Sequence, residues 1–278
     1  MKSSIRIGLM KTTLLTNGCS WTYGGGLDKT NTIEHITDLH NNIVWPARLK
    51  KLLGYDQCVN LSEGGGSNQR ICRTTFNWIM QQDPEVLKNT TAVIQWTINS
   101  RYEYYVRHDN DTDFTETAGT FEDLNPKIKK VSGARDKFSL QESQLSRWAL
   151  VNNNNVLSKF EDSDHLQSVL KARGRYMTYT EIEGVYTWLT QLGFLHDLFT
   201  AHNIEYYYWF FSNEVFAYPQ HIQDYMYDRF NFLEPDRRHL WNYERLGDDP
   251  HPSARGHEQI AGYISEAIAK YKNILRKP

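Results

Sequence analysis

Three times in its first hundred residues the chain runs a short apolar stretch into a break of small or amide residues. Leu14-Leu15 stops at Asn17-Gly18. Cys58-Val59-Asn60-Leu61 stops at Ser62-Glu63-Gly64-Gly65-Gly66, and Thr91 to Trp96 stops at Thr97-Ile98-Asn99-Ser100. A run as continuously apolar as residues 91–96 suits a strand buried on both faces, which is the habit of parallel sheets. Helical patterns separate these runs. Trp45 to Leu53 has Pro46 for its first turn and Gly54 for its C-cap. Gln69 to Gln81 carries Ile71, Thr75, Trp78 and Ile79 on one face. Strands alternating with helices predict an α/β fold with a three-layer, doubly wound, mostly parallel sheet and a cleft at the strand ends.

The later chain continues this plan after an interruption. Glu181 to His202 repeats apolar residues at helical spacing, with Asn203 suited to cap it, and Ile204 to Phe211 reads as a fourth strand. A short helix is expected near His221 to Phe230. A final helix lines up Ile260, Ala261, Ile264, Ala267 and Ile268. Between Tyr102 and about Tyr179 the pattern dissolves into charged and amide residues, with helical character only around Leu140 to Val151 and Leu166 to Arg173. The 278 residues are expected to form one domain, 1–278, with an insertion or cap at about 102–180.

Composition excludes several function classes. A net charge of −2 offers no general attraction to nucleic acid or to an anionic membrane surface. No run approaches the eighteen apolar residues of a membrane span, and Arg6 and Lys11 interrupt an N-terminus too short for a secretory signal. Cys19, Cys58 and Cys72 cannot all pair and show no metal-ligand spacing, so they read as reduced thiols and the expected location is cytoplasmic. Residues 1–9 read as a dispensable extension.

The chemistry points to two distant stretches. Ser20 follows the first strand in a turn leading into a helix, so its hydroxyl stands at the C-terminal edge of the sheet, beside backbone N–H groups able to stabilise an oxyanion. Far downstream, Asp248 and His251 lie three apart in a Pro-stiffened loop. Together they supply a nucleophile, a base and an orienting acid. The Gly24-Gly25-Gly26 run lacks the lysine and spacing of a phosphate-binding loop, and reads instead as backbone passing close to the active centre.

These residues resemble the SGNH (GDSL-type) hydrolase superfamily. Gly18-Cys19-Ser20-Trp21-Thr22 is similar to its first block, with Cys19 where an Asp is usual. Asn60 through Gly65 is similar to the second, and Trp96-Thr97-Ile98-Asn99 stands where the third is expected, without its glycine. Asp248-Asp249-Pro250-His251-Pro252 through Gly256-His257 is similar to the fifth. The resemblance covers the chain outside roughly 102–180. It implies a flavodoxin-like sheet of the SGNH-hydrolase type and a serine esterase acting through an acyl-enzyme. Ser20, His251 and Asp248 would form the catalytic triad, with Asp249 the competing acid. Ser20, Gly65 and Asn99 would form the oxyanion hole, with Ser100 the register alternative to Asn99. Arg101 stands where it can meet an anionic substrate group or a surface carboxylate.

No cofactor or metal is called for, and the partner expected is a small-molecule or carbohydrate ester. With seventeen Tyr, twelve Phe and eight Trp available for stacking on sugar rings, an O-acetyl group on a carbohydrate is the favoured ester. The weakened third block leaves two other classes open: a catalytically silent module that holds a glycan in the same cleft, and a component of a larger assembly docked through the insertion.

Overall fold

The computed structural model describes residues 11–27, 38–97, 102–105, 148–151, 181–210, 218–233 and 243–275. Strand β1 (Thr13–Asn17) runs into a single-turn helix, α1 (Ser20–Tyr23). A π-helical turn over Leu39–Ile43 leads into α2 (Trp45–Leu53), and β2 (Gln57–Asn60) follows. Helices α3 (Asn68–Met80) and α4 (Pro84–Lys88) precede β3 (Thr90–Trp96). Strands β4 (Tyr102–Tyr105) and β5 (Trp148–Val151) form an antiparallel ladder. Then come α5 (Glu181–Ala201), β6 (Glu205–Phe210) and α6 (Gln220–Arg229). A small hairpin of β7 (Arg245–Leu246) and β8 (Asp249–Pro252) leads into α7 (Ala254–Leu275).

The central sheet has four strands in the order β2-β1-β3-β6, all parallel. From β1 the chain crosses first to one neighbour, β2, and then back to the other, β3. The strand order therefore reverses at β1, and in open α/β sheets the crevice at such a reversal is where ligands bind.

Period-2 alternation along the strands sorts two cores. Leu15, Ala92, Ile94, Trp96, Tyr206, Tyr208 and Phe210 face α3, α5 and α6, where Ile71, Trp78, Trp188, Leu192 and Met226 meet them. Leu14, Val93, Tyr207 and Trp209 face the other way, toward Trp45 and Leu49 of α2 and Ile260, Ala261, Ile264 and Ile268 of α7. Each fully buried aliphatic side chain here contributes on the order of 1.5–3 kcal/mol. The layered α/β architecture with a parallel sheet is as expected.

Two local expectations are corrected. Residues 148–151, read as the end of a helical stretch, are a strand paired with β4. The Pro-rich segment before the last helix, read as a loop, is the β7–β8 hairpin. The helix expected at Leu166 to Arg173 lies outside the described residues. Among the described residues, no helix is long and apolar enough to cross a membrane.

Candidate active site

Ser20 is the first residue of α1, and its turn is clamped from both sides. Asn17, the last residue of β1, accepts the Gly18 N–H at 2.8 Å through its side-chain oxygen. Its amide nitrogen donates to Ile71 O, Thr74 Oγ1 and Thr75 Oγ1 of α3, at 3.0, 2.8 and 2.9 Å. From β3, Gln95 Nε2 donates to the buried Cys19 sulfur at 3.4 Å, and Gln95 Oε1 accepts the Thr22 hydroxyl. Gly18 leaves room for this: a Cβ there would stand 2.6 Å from Gln95 Oε1. The Cys19 carbonyl accepts the N–H groups of Thr22 and Tyr23. The first amides of a helix have no partner within it, and those of α1 begin at Ser20.

The β7–β8 hairpin delivers the other groups. Leu246 pairs with Asp249 across Gly247-Asp248, and Gly247 sits at φ +60, the conformation a two-residue hairpin turn asks of its first central residue. Beyond the turn, Pro250 and Pro252 hold Asp249 and His251 extended, because a residue before proline is pushed away from helical angles. Residues two apart on a strand share a face. Asp249 and His251 therefore point the same way, while Asp248 remains exposed in the turn. Asp249 Oδ1 accepts the His251 N–H at 2.9 Å and lies 2.5 Å from His251 Nδ1, and His251 Nε2 lies 2.8 Å from Ser20 Oγ.

The carboxylate against His251 is thus that of Asp249, not Asp248 as the motif spacing predicted. The reason is the strand: a three-residue spacing needs a turn between acid and base, and two prolines have straightened this segment. With Nδ1–H directed at a carboxylate, Nε2 is left to accept the Ser20 hydroxyl proton. An imidazole so placed can act as a base toward a hydroxyl 231 residues away. Ser20 is buried, while the His251 and Asp249 side chains are 26% and 42% exposed.

The hairpin is tied down on both flanks. Tyr243 donates its hydroxyl to Pro250 O at 3.0 Å and packs edge-on against Trp21, the neighbour of Ser20, at 5.0 Å. On the other side Ser253 caps α7, accepting the Gly256 N–H at 3.1 Å and donating to Glu244 Oε1 at 2.8 Å. His257, fully buried, accepts the Trp45 N–H at 3.2 Å through Nδ1. Burial pushes its pKa down to about 3, so it is a neutral strut between α7 and α2.

The second glycine run borders the Ser20 turn. A Cβ on Gly66 would stand 3.1 Å from Gly18 O, and Gly65 beside it has φ +77. Asn60 holds the start of this loop, accepting from Ser62 N–H and Oγ and donating to Thr22 O at 3.3 Å. At its far end Ser67 accepts the Arg70 N–H, and the buried Arg70 donates to Leu61 O at 2.9 Å. Asn68 pairs with Thr97 twice, donating to its carbonyl at 3.0 Å and accepting its N–H at 2.9 Å. Asn99, Ser100 and Arg101 lie outside the described residues.

One family matches residues 27–277, starting just beyond the Ser20 turn and taking in Asp249 and His251. The chain belongs to that family. It is described as "Family of unknown function (DUF6071)". Among solved structures, the chain is similar to the lipase Lip_vut3 from a goat rumen metagenome, with a TM-score of 0.35 and 12% sequence identity. That likeness spans 92% of this chain and 97% of the lipase. No curated protein is similar enough to count as a match.

Asn17, Asn68 and Gln95 escaped the sequence reading, although all three shape the site's surroundings. Their signal was there: Asn17 and Gln95 are buried amides in the last two residues of their strands and Asn68 is a buried amide opening a helix, all places where backbone turns need partners. Among the described residues, no group of three or more His, Cys, Asp or Glu is placed to hold a metal ion.

Proposed function

We propose that this chain is a serine ester hydrolase of the SGNH type, with Ser20 as nucleophile, His251 as general base and Asp249 as the acid that orients it. The observation that carries this reading is the 2.8 Å contact between Ser20 Oγ and His251 Nε2, backed by Asp249 at 2.5 Å and set at the C-terminal edge of a parallel sheet. Ser20 Oγ attacks the ester carbonyl carbon as its proton passes to Nε2. The C–O bond to the alcohol then breaks, and His251 returns the proton to the leaving oxygen. Water next attacks the acyl-serine, again giving a proton to Nε2; the C–Oγ bond breaks, His251 returns that proton to Ser20 Oγ, and the acid is released.

The oxyanion would be held by the Ser20 N–H, the Gly65 N–H and the Asn99 side-chain amide. Supporting this are the start of α1 at Ser20, the packing of Gly66 on Gly18, and the grip of Asn68 on Thr97, two residues before Asn99. Losing one such donor costs ~3–4 kcal/mol of transition-state stabilisation. For the substrate we favour an O-acetyl group on a carbohydrate, with Arg101 available to an anionic sugar.

The test is turnover of p-nitrophenyl acetate by wild type and Ser20→Ala, with labelling by a fluorophosphonate. A wild-type rate and label that both vanish in Ser20→Ala are the expected results. Equal background rates and no label, on this ester and on acetylated sugars, would overturn the enzyme and leave a glycan-binding cleft.

A further inference from the structure

The first glycine run, Gly24-Gly25-Gly26, takes no part in the chemistry above, yet it lies along the whole hydrogen-bonded array. A Cβ built on Gly25 would stand 3.0 Å from His251 Nε2, 3.0 Å from Ser20 Cβ and 3.1 Å from His251 Cδ2. One built on Gly26 would stand 2.8 Å from Leu246 Cδ1 and 3.2 Å from Asp249 Oδ2. The backbone of these residues therefore occupies the layer that side chains would otherwise fill, directly against nucleophile, base and acid.

This strap has little freedom to retreat. The N–H groups of Gly24 and Gly25 both donate to the carbonyl of Ser20 itself, at 2.9 and 2.7 Å, and the Leu27 N–H returns to Gly24 O at 3.1 Å. Behind it, a Cβ on Gly24 would stand only 2.7 Å from Val44 Cγ1, and Leu27 packs with Leu39, Val44 and Ala47. What lies against the strap on its open side is the His251 ring, held by side-chain hydrogen bonds to Asp249 and Ser20.

We propose that the Gly24–Gly26 backbone is a wall that keeps the His251 ring on Ser20, and that Gly25 is a positioning residue acting through His251. The proposal rests on the hydrolase reading for its kinetic arm alone. Gly25 suits a test because its φ lies outside the left-handed region, unlike those of Gly24 and Gly26. Alanine at 25 therefore brings no backbone strain, only a methyl group pressed on the His251 ring and on Ser20 Cβ.

The experiment compares wild type, Gly25→Ala and Gly25→Leu. Gly193→Ala serves as control, since its Cβ would meet nothing within 4 Å. Two readouts are taken: kcat and KM on p-nitrophenyl acetate, and the proton NMR line of the His251 Nδ1–H, identified by its loss in His251→Ala. In Gly25→Ala the ring must shift by a few tenths of an ångström. Misplacements of 1 Å can cost a hundredfold, so the expected loss is about tenfold in kcat at nearly constant KM. The imidazole line should move or broaden while the melting temperature holds. Gly25→Leu should abolish both signals, and Gly193→Ala should change neither.

A Gly25→Ala protein with wild-type kcat and an unmoved line overturns the proposal. So does a lowered kcat with an unmoved line, since the methyl would then act on substrate rather than through His251. If wild type hydrolyses no ester, the hydrolase reading fails and the line alone decides: displaced in Gly25→Ala, it upholds the wall; unmoved, it overturns it.

Discussion

Gly24-Gly25-Gly26 and Gly64-Gly65-Gly66 are the same three residues written twice, each following a strand of the central sheet and each reaching the Ser20 turn. They work in opposite ways. The first loop meets reactive side chains with bare backbone: Gly25 against His251 and Ser20, Gly26 against Asp249. The second meets backbone instead, with Gly66 packed on the Gly18 carbonyl, and Gly64 is open to at least 4 Å around its absent Cβ. It is held by side chains at its ends, through Asn60, Ser67, Asn68 and Arg70. A glycine loop near a site can thus serve by what it lacks or by what its neighbours hold. Only the contacts tell which.

The comparison can be broken first at the acid that the first loop covers. Asp249→Asn should lower kcat/KM on an aryl ester by about 10²–10⁴-fold, because the imidazole loses the partner that fixes its tautomer. Asp248→Asn, in the exposed turn, should stay within about twofold. The reverse ranking in steady-state kinetics would return the acid to position 248.

On the second loop the largest effect should fall on stability. Asn68→Leu removes both hydrogen bonds that Asn68 makes to the Thr97 backbone, each worth ~1–3 kcal/mol, so urea denaturation should show a loss of about 2–6 kcal/mol. Ester turnover should fall as well, as the segment leading to Asn99 comes loose. A wild-type denaturation midpoint would show that the two backbone bonds find other partners.

A third outcome separates the two histidines of the last motif. Buried His257 has its pKa pushed down to about 3, against ~6.5 in an unfolded chain. Above pH 6.5 it is neutral in both states and contributes no pH dependence. As pH falls from 6.5 toward 3, only the unfolded state takes up this proton, so stability should drop by ~1.4 kcal/mol per pH unit. Urea midpoints between pH 7 and 4 should show this limb in wild type and a shallower one in His257→Gln. Equal slopes would mean that His257 is charged in the fold. The smallest effect belongs to Gly64→Ala. With φ outside the left-handed region and open space around it, alanine should stabilise the protein by about 0.4–1 kcal/mol.

Much of the fold could be read directly. Trp45–Leu53 is a helix from proline to glycine as its punctuation indicated, and the alternation of Tyr206, Tyr208 and Phe210 with Tyr207 and Trp209 marks a strand buried on both faces. Ser20 and His251 were picked out by chemistry and by resemblance, and the fold brings them together. The acid was misread because a three-residue motif spacing was taken as geometry. Pro250 and Pro252 already favoured an extended chain, and with it the two-residue pair. Trp148 to Val151 was misread for a related reason: four residues have no periodicity to show until a partner strand supplies the ladder.

Local forces are complete within a short window, so the sequence by itself determined the order of strands and helices, which strand faces are apolar, and the serine at a strand end. Contacts between residues far apart in the chain have no such window. That Asp249 rather than Asp248 meets His251, that Asn68 and Gln95 brace the turns around Ser20, and that the first glycine run rather than the second walls the imidazole were decided only by the tertiary structure. Each depends on sheet register and on how the last hairpin docks against the first turn. Those follow from burial summed over the whole domain, not from any one stretch of it.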